Sequence, residues 1–367
     1  MLSRRSFLGV AACVGVLDSS RTDASDVVLR RSLTDGNSLG ELAAGRGIIY
    51  GSATSMYELG APDFVANIVR EARMLVPEYE LKRDLVEPVQ GRYDFTASEA
   101  LYAFALNHSM TFRGTPLVWH KANPDWLESV VRSTRGRDLL VGYVETIARH
   151  FRGRIHSWDV VNEALFPEAG RPDGLRRSFW LDAYGPSYID MAFHAARGAD
   201  PRALLIYNDW GCEAGMPVND LFRARTLDFL EKALARKVPI GGLGIQGHLA
   251  AYGPQVDQRK LRTFLDRVAS MGLRILVTEH DVDDSGGPSD IAVRDGAVAD
   301  ASRRFLDVVL DNRATIVVLT WGLSDRFLDP PGGRAHLAGY SPRMLPLDTN
   351  MRRKPMWQAM EAVFSQE

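Results

Sequence analysis

From residue 47 onward the sequence repeats one unit, in which a short apolar or β-branched run is followed by a polar loop and a segment with helical periodicity. This alternation is typical of parallel strands joined by crossover helices. The predicted strands are 48–53, 74–79, 111–119, 155–161, 203–208, 242–247, 274–278 and 315–321. The predicted helices lie near 61–72, 97–108, 137–151, 187–197, 220–236, 258–271, 294–311 and 356–364. Eight such units predict an α/β protein that forms a single (β/α)₈ TIM barrel, in which the functional residues follow the carboxyl ends of the strands.

The domain organisation follows from the same pattern. A length of 367 residues fits either two domains or one barrel. No linker rich in Pro, Gly or Ser divides the eight units, and this favours the single barrel. We therefore expect a signal segment over residues 1–25, an N-terminal extension over 26–45 and the barrel domain over 46–367.

The N-terminus resembles a twin-arginine export signal. Arg4 and Arg5 precede an apolar stretch over residues 7–17, which is too short to span a membrane. An ordinary basic N-terminus or a general secretory signal is the alternative. The run before Cys13 also has the shape of a lipoprotein processing site, although cleavage there leaves a short apolar core. In either case we expect export to the periplasm or the medium.

Charge and cysteine content exclude several classes of partner. The 44 Lys and Arg residues nearly balance the 46 Asp and Glu residues, so no field of one sign attracts nucleic acid or an anionic membrane. The two cysteines, Cys13 and Cys212, provide neither a disulfide framework nor a four-cysteine metal site. Motifs of phosphate-binding loops, zinc proteases and serine hydrolases are absent from the sequence. We expect no metal, no cofactor, no obligate membrane partner and a monomer.

Two predicted strands end in a carboxylate. The fourth ends in Asn162-Glu163, and the seventh continues into Thr278-Glu279. In an eight-stranded barrel these two strands lie on opposite sides of the mouth, so the carboxylates can face each other across a substrate. Hydrolysis of a glycosidic bond needs such a pair, since one group protonates the leaving oxygen while the other attacks or activates water. The alternative is that each glutamate only caps a helix or pairs with an arginine.

Longer motifs at successive strand ends resemble glycoside hydrolase family 10, the endo-β-1,4-xylanases, over about residues 47–360. The main motifs are Trp158-Asp159-Val160-Val161-Asn162-Glu163, Tyr207-Asn208-Asp209, Gln246-Gly247-His248-Leu249, Thr278-Glu279-His280-Asp281 and Trp321-Gly322-Leu323-Ser324-Asp325. Shorter matches are Pro77-Glu78 with Lys82, Glu87-Pro88 with Gly91, Arg113-Gly114, Leu117-Val118-Trp119-His120 and Pro124-Asp125-Trp126. The resemblance implies that residues 46–367 form a glycosidase domain.

The resemblance also implies a role for each matching residue. Glu163 is expected to be the proton donor and acid/base, and Glu279 the nucleophile, of a retaining double displacement on a β-1,4-linked polysaccharide or oligosaccharide. The supporting set comprises Asn162 on the sugar 2-hydroxyl, Gln246 and His248 on the nucleophile, Asp281 behind His248, Glu78 and Lys82 on glycone hydroxyls, and Trp119 and Trp321 as apolar platforms.

Five positions depart from the family pattern on the glycone side. Tyr79 replaces an Asn, Arg83 a Trp, Thr115 a His and Ala122 a Gln, and Asp329 falls where a second Trp is expected. A site that loses hydrogen-bond partners to a sugar loses affinity and discrimination there. Xylan is the favoured substrate, and a related β-1,4-glycan, an oligosaccharide, exo action and a weakly active carbohydrate-binding barrel remain alternatives.

The pair Thr115-Pro116 occupies a position where the resemblance implies a His-Thr pair with a cis peptide bond. Proline reduces the preference for the trans form to about 0.5–1 kcal/mol. We therefore expect the cis form here, with Trp119 then placed at the sugar.

A metal-dependent barrel hydrolase is a rival from another class. It would use His120, His248 and His280 at strand ends. Strand alternation places His280 on the face opposite to Glu279, so His280 does not join His248 in one site.

Overall fold

The structure is a computed structural model that describes residues 37–134, 136–328 and 340–366. Its strands are β1 (Ile49–Thr54), β2 (Met74–Pro77), β3 (Thr111–Phe112), β4 (Ser157–Asn162), β5 (Leu204–Asp209), β6 (Gly242–Ile245), β7 (His248–Ala250), β8 (Arg274–Asp283) and β9 (Thr315–Thr320).

The sheet is parallel and has the strand order β3-β2-β1-β9-β8-β6-β5-β4, with β7 paired to the end of β8. The two edges of this order meet. The Gly114 N–H donates to the Ser157 oxygen at 3.0 Å, and the Leu117 N–H donates to the Asp159 oxygen at 2.8 Å. These bonds join the chain after β3 to β4 and close the ring, so the predicted (β/α)₈ TIM barrel is confirmed.

The third strand is much shorter than the predicted 111–119. Regular pairing stops at Phe112, and only isolated bridges at Gly114 and Val118 continue it along β4. Pro116 lies between those bridges and has no N–H to donate to a ladder. The expectation of a cis bond at Thr115-Pro116 is wrong, since none of the described peptide bonds is cis.

Each predicted helix is present, with ends that differ by a few residues from the prediction. The helices are α1 (Leu39–Gly45), α2 (Pro62–Glu71), α3 (Arg83–Val86), α4 (Thr96–Asn107), α5 (Asp125–Thr134), α6 (Val141–His150), α7 (Phe179–Tyr184), α8 (Ser187–Ala199), α9 (Pro217–Ala235), α10 (Gln258–Ser270), α11 (Ile291–Leu310) and α12 (Pro355–Phe364). The sequence prediction does not contain α1, α3, α5 and α7. Three of them, α1, α3 and α7, have 7, 4 and 6 residues, whereas α5 has 10. Helix α1 lies in the stretch expected to be an N-terminal extension.

Helix α1 begins with a capping box that explains why so short a helix forms. The Glu41 N–H donates to the Ser38 hydroxyl at 3.2 Å, and the Ser38 N–H donates to the Glu41 carboxylate at 3.0 Å. Just beyond the helix, Arg46 donates to the main-chain oxygens of Val363 and Leu310 at 2.8 and 3.1 Å. These carbonyls lie at the carboxyl ends of α12 and α11, where a cation is favourable.

The barrel interior is filled by apolar side chains from β1, β2, β5, β8 and β9. This inner cluster consists of Ala53, Met74, Val76, Ile206, Leu276, Val317 and Leu319. Trp321 packs against it from the rim. The barrel is therefore a solid support for the residues at its mouth and not a pore.

No helix within the described residues is long and apolar enough to cross a membrane. The expected signal segment, Cys13 and Asp329 lie outside the described residues.

Candidate active site

A cleft of about 850 Å³ crosses the carboxyl ends of the strands. It brings together nine of the ten predicted site residues, namely Lys82, Trp119, Asn162, Glu163, Gln246, His248, Glu279, Asp281 and Trp321. The tenth, Glu78, follows β2, and its main-chain N–H donates to the Thr54 oxygen at 3.2 Å.

Glu279 lies near the outer end of β8, with 9% of its surface exposed. Its Oε1 accepts a hydrogen bond from Asn208 Nδ2 at 2.8 Å, and its Oε2 lies 3.2 Å from His248 Nε2. Its main-chain N–H donates to the Gln246 oxygen at 2.9 Å. Both carboxylate oxygens are thus held by side chains that reach Glu279 from other strands.

A β-bulge positions Glu279. Val277 pairs with Ile245 and Asp281 pairs with His248, so β8 has one residue more than the neighbouring chain over this span. The same excess is present relative to β9 on the other side. A bulge beside an active site changes the direction of a side chain without changing the ladder below it.

A second bulge precedes Glu163. The register between β4 and β5 shifts by one residue between Asp159 and Val161. Glu163 itself has φ +53°, a left-handed backbone conformation that costs roughly 1–2 kcal/mol for a residue with a Cβ. Its N–H donates to the Asn208 oxygen at 2.9 Å, which helps to hold that conformation.

Three nitrogen-bearing side chains surround the Glu163 carboxyl group. Gln246 Nε2 donates to Oε1 at 3.2 Å. Arg176 Nη2 and His120 Nε2 lie 3.8 and 3.9 Å from Oε2. The structure thus places the Gln246 amide against Glu163, whereas the sequence assigns it to Glu279.

A chain of amides links the two carboxyl groups. The Asn208 side-chain amide also lies 2.9 Å from the Asn162 side-chain amide, and Gln246 Nε2 lies 3.4 Å from the same group. Asn208 is fully buried, and its own oxygen accepts from the Thr278 hydroxyl at 2.7 Å. The sequence motif contains Asn208 without assigning it a function, yet this residue joins the elements that carry both glutamates.

His248 bridges two carboxylates. Nε2 faces Glu279, and Nδ1 lies 2.9 Å from Asp281 Oδ1. Burial disfavours the charged ring, but Asp281 and Glu279 outweigh this effect and raise the pKa of His248 well above its ordinary value. A protonated ring donates from both nitrogens at once, which fits its two acceptor neighbours.

The other two histidines of the rival metal site differ from His248. Burial, aided by Arg176 and Lys121, lowers the pKa of His120 to about 4, so its ring is neutral beside Glu163. His280 points away from the cleft and contacts the Gly247 oxygen at 2.9 Å and the Ser302 hydroxyl at 2.8 Å.

The cleft contains a lysine surrounded by aromatic rings. Lys82 Nζ lies 4.4, 5.7 and 5.9 Å from the ring centres of Tyr79, Trp119 and Trp321. Burial lowers the pKa of Lys82, although Glu78 and other carboxylates oppose this shift. Burial likewise raises the pKa of the Glu78 carboxyl, against the influence of Tyr79 and Lys82.

The positions that depart from the family pattern have different surroundings. Thr115 is buried and lines the cleft. Tyr79 and Ala122 line an adjoining hollow of about 370 Å³ that shares Lys82 and Trp119 with the cleft. Arg83 is buried away from the main cleft, where it pairs with Glu87 at 2.8 Å.

Two further cleft residues, Trp210 and Glu213, have no role in the sequence prediction. Trp210 lines the cleft and packs against Phe222 with ring centres 5.2 Å apart. Glu213 is 4% exposed and accepts a hydrogen bond from the Gly247 N–H at 3.1 Å. Both follow the end of β5, and the rule that function follows strand ends identifies this loop.

Comparison with known proteins agrees with this geometry. The family model described as glycosyl hydrolase family 10 matches residues 38–363. Endo-1,4-beta-xylanase B of Thermotoga neapolitana is 33% identical over 299 residues, which are 81% of this chain and 82% of that relative. Endo-1,4-beta-xylanase C of Paenibacillus barcinonensis is 31% identical over 76% of this chain, and the match spans 27% of that longer relative.

Solved structures show the same fold. Native xylanase 10B of Thermotoga maritima superposes with a TM-score of 0.78 at 30% identity, covering 89% of this chain and 98% of that chain. Xylanase 10B of Thermotoga petrophila RKU-1, solved in complex with xylobiose, gives a TM-score of 0.80 at 30% identity over 90% and 98% of the two chains.

Proposed function

The chain belongs to glycosyl hydrolase family 10, and on that premise we propose that it hydrolyses internal β-1,4 bonds of xylan with retention of configuration. The observation that carries the proposal is the pair of buried carboxyl groups, Glu163 and Glu279, held in one open cleft by a shared set of amides. The relatives named as endo-1,4-beta-xylanases support the substrate.

In the first step a carboxylate oxygen of Glu279 attacks the anomeric carbon of the bound sugar. The bond from that carbon to the leaving oxygen breaks, and Glu163 gives its proton to that oxygen. The product is a glycosyl ester on Glu279. Asn208 and His248 hold the two oxygens of Glu279, so one oxygen can face the sugar without a search among rotamers.

In the second step Glu163, now ionised, accepts a proton from water. The water oxygen attacks the anomeric carbon, the ester bond breaks and Glu279 leaves as a carboxylate. His248 donates to that carboxylate from Nε2 while Asp281 holds the opposite nitrogen. The imidazolium thereby stabilises the negative charge that returns to Glu279.

The sugar contacts follow from the surfaces around the two glutamates. Asn162 is 7% exposed between Glu163 and Glu279 and is assigned to the sugar 2-hydroxyl. Trp119 and Trp321 supply apolar faces for sugar rings, and Lys82 with Glu78 supplies polar groups on the glycone side. Because Tyr79 and Thr115 alter that side, a β-1,4-linked oligosaccharide or a related glycan is the second candidate substrate.

The assignment of the two glutamates is tested by azide rescue. Glu279→Gly should lose hydrolysis, and added azide should then convert an activated aryl β-xylobioside into the α-glycosyl azide. Glu163→Ala should keep the first step for substrates with good leaving groups and give the β-azide. The reverse pattern in the two variants contradicts the assignment.

We also propose that the protein is exported through its twin-arginine segment and acts as a monomer in the periplasm or medium. Arg4 and Arg5 before the apolar stretch support the export route. Replacing both arginines by lysine should retain the protein inside the cell, whereas unchanged export excludes this route. Light scattering of the secreted protein tests the monomer.

A further inference from the structure

Arg176 contacts the proposed acid/base at both ends. Its Nε donates to the main-chain oxygen of Glu163 at 2.8 Å. Its Nη2 lies 3.8 Å from Oε2 of the same residue. Both side chains are shielded, since they are 15% and 9% exposed, so the contact is part of the cleft wall and not a surface ion pair.

The same arginine also contacts the residues that follow Glu163. Its own N–H donates to the Ala164 oxygen at 2.7 Å. Its Nη2 reaches the Leu165 oxygen at 3.5 Å. The guanidinium carbon lies 4.7 Å from the centre of the Phe166 ring. One side chain and its backbone therefore contact four consecutive residues.

Glu163 needs such support because its backbone is in the left-handed region. On one side the chain is held by β5, where the Asn208 oxygen accepts from Glu163 and Asp209 Oδ2 accepts from the Leu165 N–H at 3.2 Å. Arg176 supplies the contacts on the other side. Glu163 is thus fixed from two directions.

We propose that Arg176 is a positioning residue for acid/base catalysis, a role that rests on the proposed function. It holds the backbone of Glu163 so that the carboxyl group faces the leaving oxygen. Its charge, placed 3.8 Å from Oε2 and beyond hydrogen-bond distance, stabilises the carboxylate that remains after the proton has left.

The test compares two substrates that differ in their need for a general acid. 2,4-Dinitrophenyl β-xylobioside has a leaving group that departs without protonation, whereas phenyl β-xylobioside needs the proton. The quantity measured is kcat/KM, which reports the first step for both. Arg176→Met keeps the aliphatic contact with Phe166 but removes the charge and the donors.

We expect Arg176→Met to lower kcat/KM by roughly 10- to 100-fold on the phenyl substrate, and by less than about 3-fold on the dinitrophenyl substrate. Arg171→Met is the matched control. Arg171 lies in the same loop, but it pairs with Asp173 at 2.7 Å, so this variant should change neither value.

Arg176→Lys keeps a charge and one donor group, and its loss on the phenyl substrate should fall between those of the wild type and Arg176→Met. If Arg176→Met does not fold, the kcat/KM values of Arg176→Lys on the two substrates are compared with those of the wild type instead. An equal loss on both substrates, or no loss, overturns the positioning role while the wild-type enzyme still supports the proposed function. A wild-type enzyme inactive on both substrates and on xylan overturns the proposed function itself.

Discussion

Asn208 Nδ2 lies 2.8 Å from Glu279 Oε1, and this bond ties the proposed nucleophile to the neighbouring part of the barrel. The same amide reaches Asn162, and its oxygen accepts from Thr278. One fully buried side chain therefore satisfies three partners. Removal of the Asn208 side chain takes a hydrogen-bond partner from each of these polar groups. The site is buried, so water does not easily take its place.

Asn208→Ala should lower kcat/KM on aryl β-xylobiosides by about 10- to 100-fold, since about 1–3 kcal/mol is lost for each buried group left unpaired. Steady-state kinetics check this outcome. Asn67→Ala, on the outer surface of α2, serves as the control. Kinetics of Asn208→Ala equal to those of the control would show that the amide does not orient Glu279.

The proton on His248 should depend on Asp281. Two carboxylates hold the pKa of His248 well above its ordinary value, so the ring should stay protonated through neutral pH. Asp281→Asn removes one negative neighbour and should move the titration of His248 to lower pH. NMR of labelled histidine measures it, with His248→Asn identifying the signal.

Asp283→Asn is the control for that titration, because Asp283 lies on the same strand but accepts from the Ser285 N–H at 2.9 Å. The interpretation fails if both aspartate variants leave the His248 signal unchanged.

Glu58 should make the fold less stable as pH rises. Burial, with a contribution from Glu78, raises the pKa of this carboxyl from 4.5 to about 8. The folded state then holds the proton more tightly than the unfolded state. Stability from this group is therefore full below pH 4.5, declines between pH 4.5 and about 8, and is constant above that.

Glu58→Gln should flatten that decline by roughly 4 kcal/mol between pH 5 and pH 8.5, since a change of one pKa unit corresponds to about 1.4 kcal/mol. Its amide oxygen can still accept from the Ser55 N–H, as the carboxyl group does at 2.7 Å. Urea unfolding at pH 5 and pH 8.5 gives the free energies. Glu128→Gln, on the exposed face of α5, should leave the slope as it is, and an identical slope in Glu58→Gln contradicts the expectation.

Arg113 and Asp159 form an ion pair with no exposed surface on either residue. Nη1 donates to Oδ2 at 2.7 Å. Asp159→Asn or Arg113→Met should each destabilise the fold by about 3–5 kcal/mol, because one buried charge loses its partner. The double variant Arg113→Met with Asp159→Asn should cost less than the sum of the two single variants. Additive losses in urea unfolding argue against coupling.

The altered glycone side should slow the enzyme on xylan. Tyr79 and Thr115 stand where an amide and an imidazole are expected, and each lost hydrogen bond is worth about 1–3 kcal/mol. We expect a lower kcat/KM on xylotetraose than that of endo-1,4-beta-xylanase B of Thermotoga neapolitana. Tyr79→Asn should recover part of the difference, because it also frees Lys82 from the ring 4.4 Å away.

Tyr57→Asn is the control for that substitution, since Tyr57 is 82% exposed and does not line the cleft. Thr115→His alone should recover little of the activity, because Thr115 is buried and Tyr79 is still in place. If the unmodified enzyme has the same kcat/KM on xylotetraose as the Thermotoga relative, Tyr79 and Thr115 affect catalysis less than this prediction requires.

The sequence was sufficient to predict the barrel and the cleft because both depend on periodicity. Each strand repeats every two residues, and its carboxyl end always faces the same rim. Glu163 and Glu279 could therefore be placed in one site. The predicted length of β3 was too great, because Pro116 interrupts regular pairing. The short helices were not predicted, because local caps such as Ser38 determine where they form.

The partners of the two glutamates could not be predicted in the same way. Both strands that lead to them contain a bulge, and an extra residue breaks the alternation on which facing arguments depend. The Gln246 side chain meets Glu163, whereas its main-chain oxygen meets Glu279. Arg176 lies thirteen residues beyond Glu163 on a loop that folds back against it. The periodicity of strands and helices does not predict such a contact.

The bulge in β8 divides the strand into two parts with different functions. Below it, pairing with β6 keeps the barrel closed, and above it, pairing with β7 sets the direction of His248 and Asp281. Loss of the Thr278 codon would give β8 and the neighbouring chain equal lengths between Val277 and Asp281, so both pairings would remain while Glu279 took the place of Thr278. Deletion of a single codon could thus abolish the activity of the protein while its fold is kept.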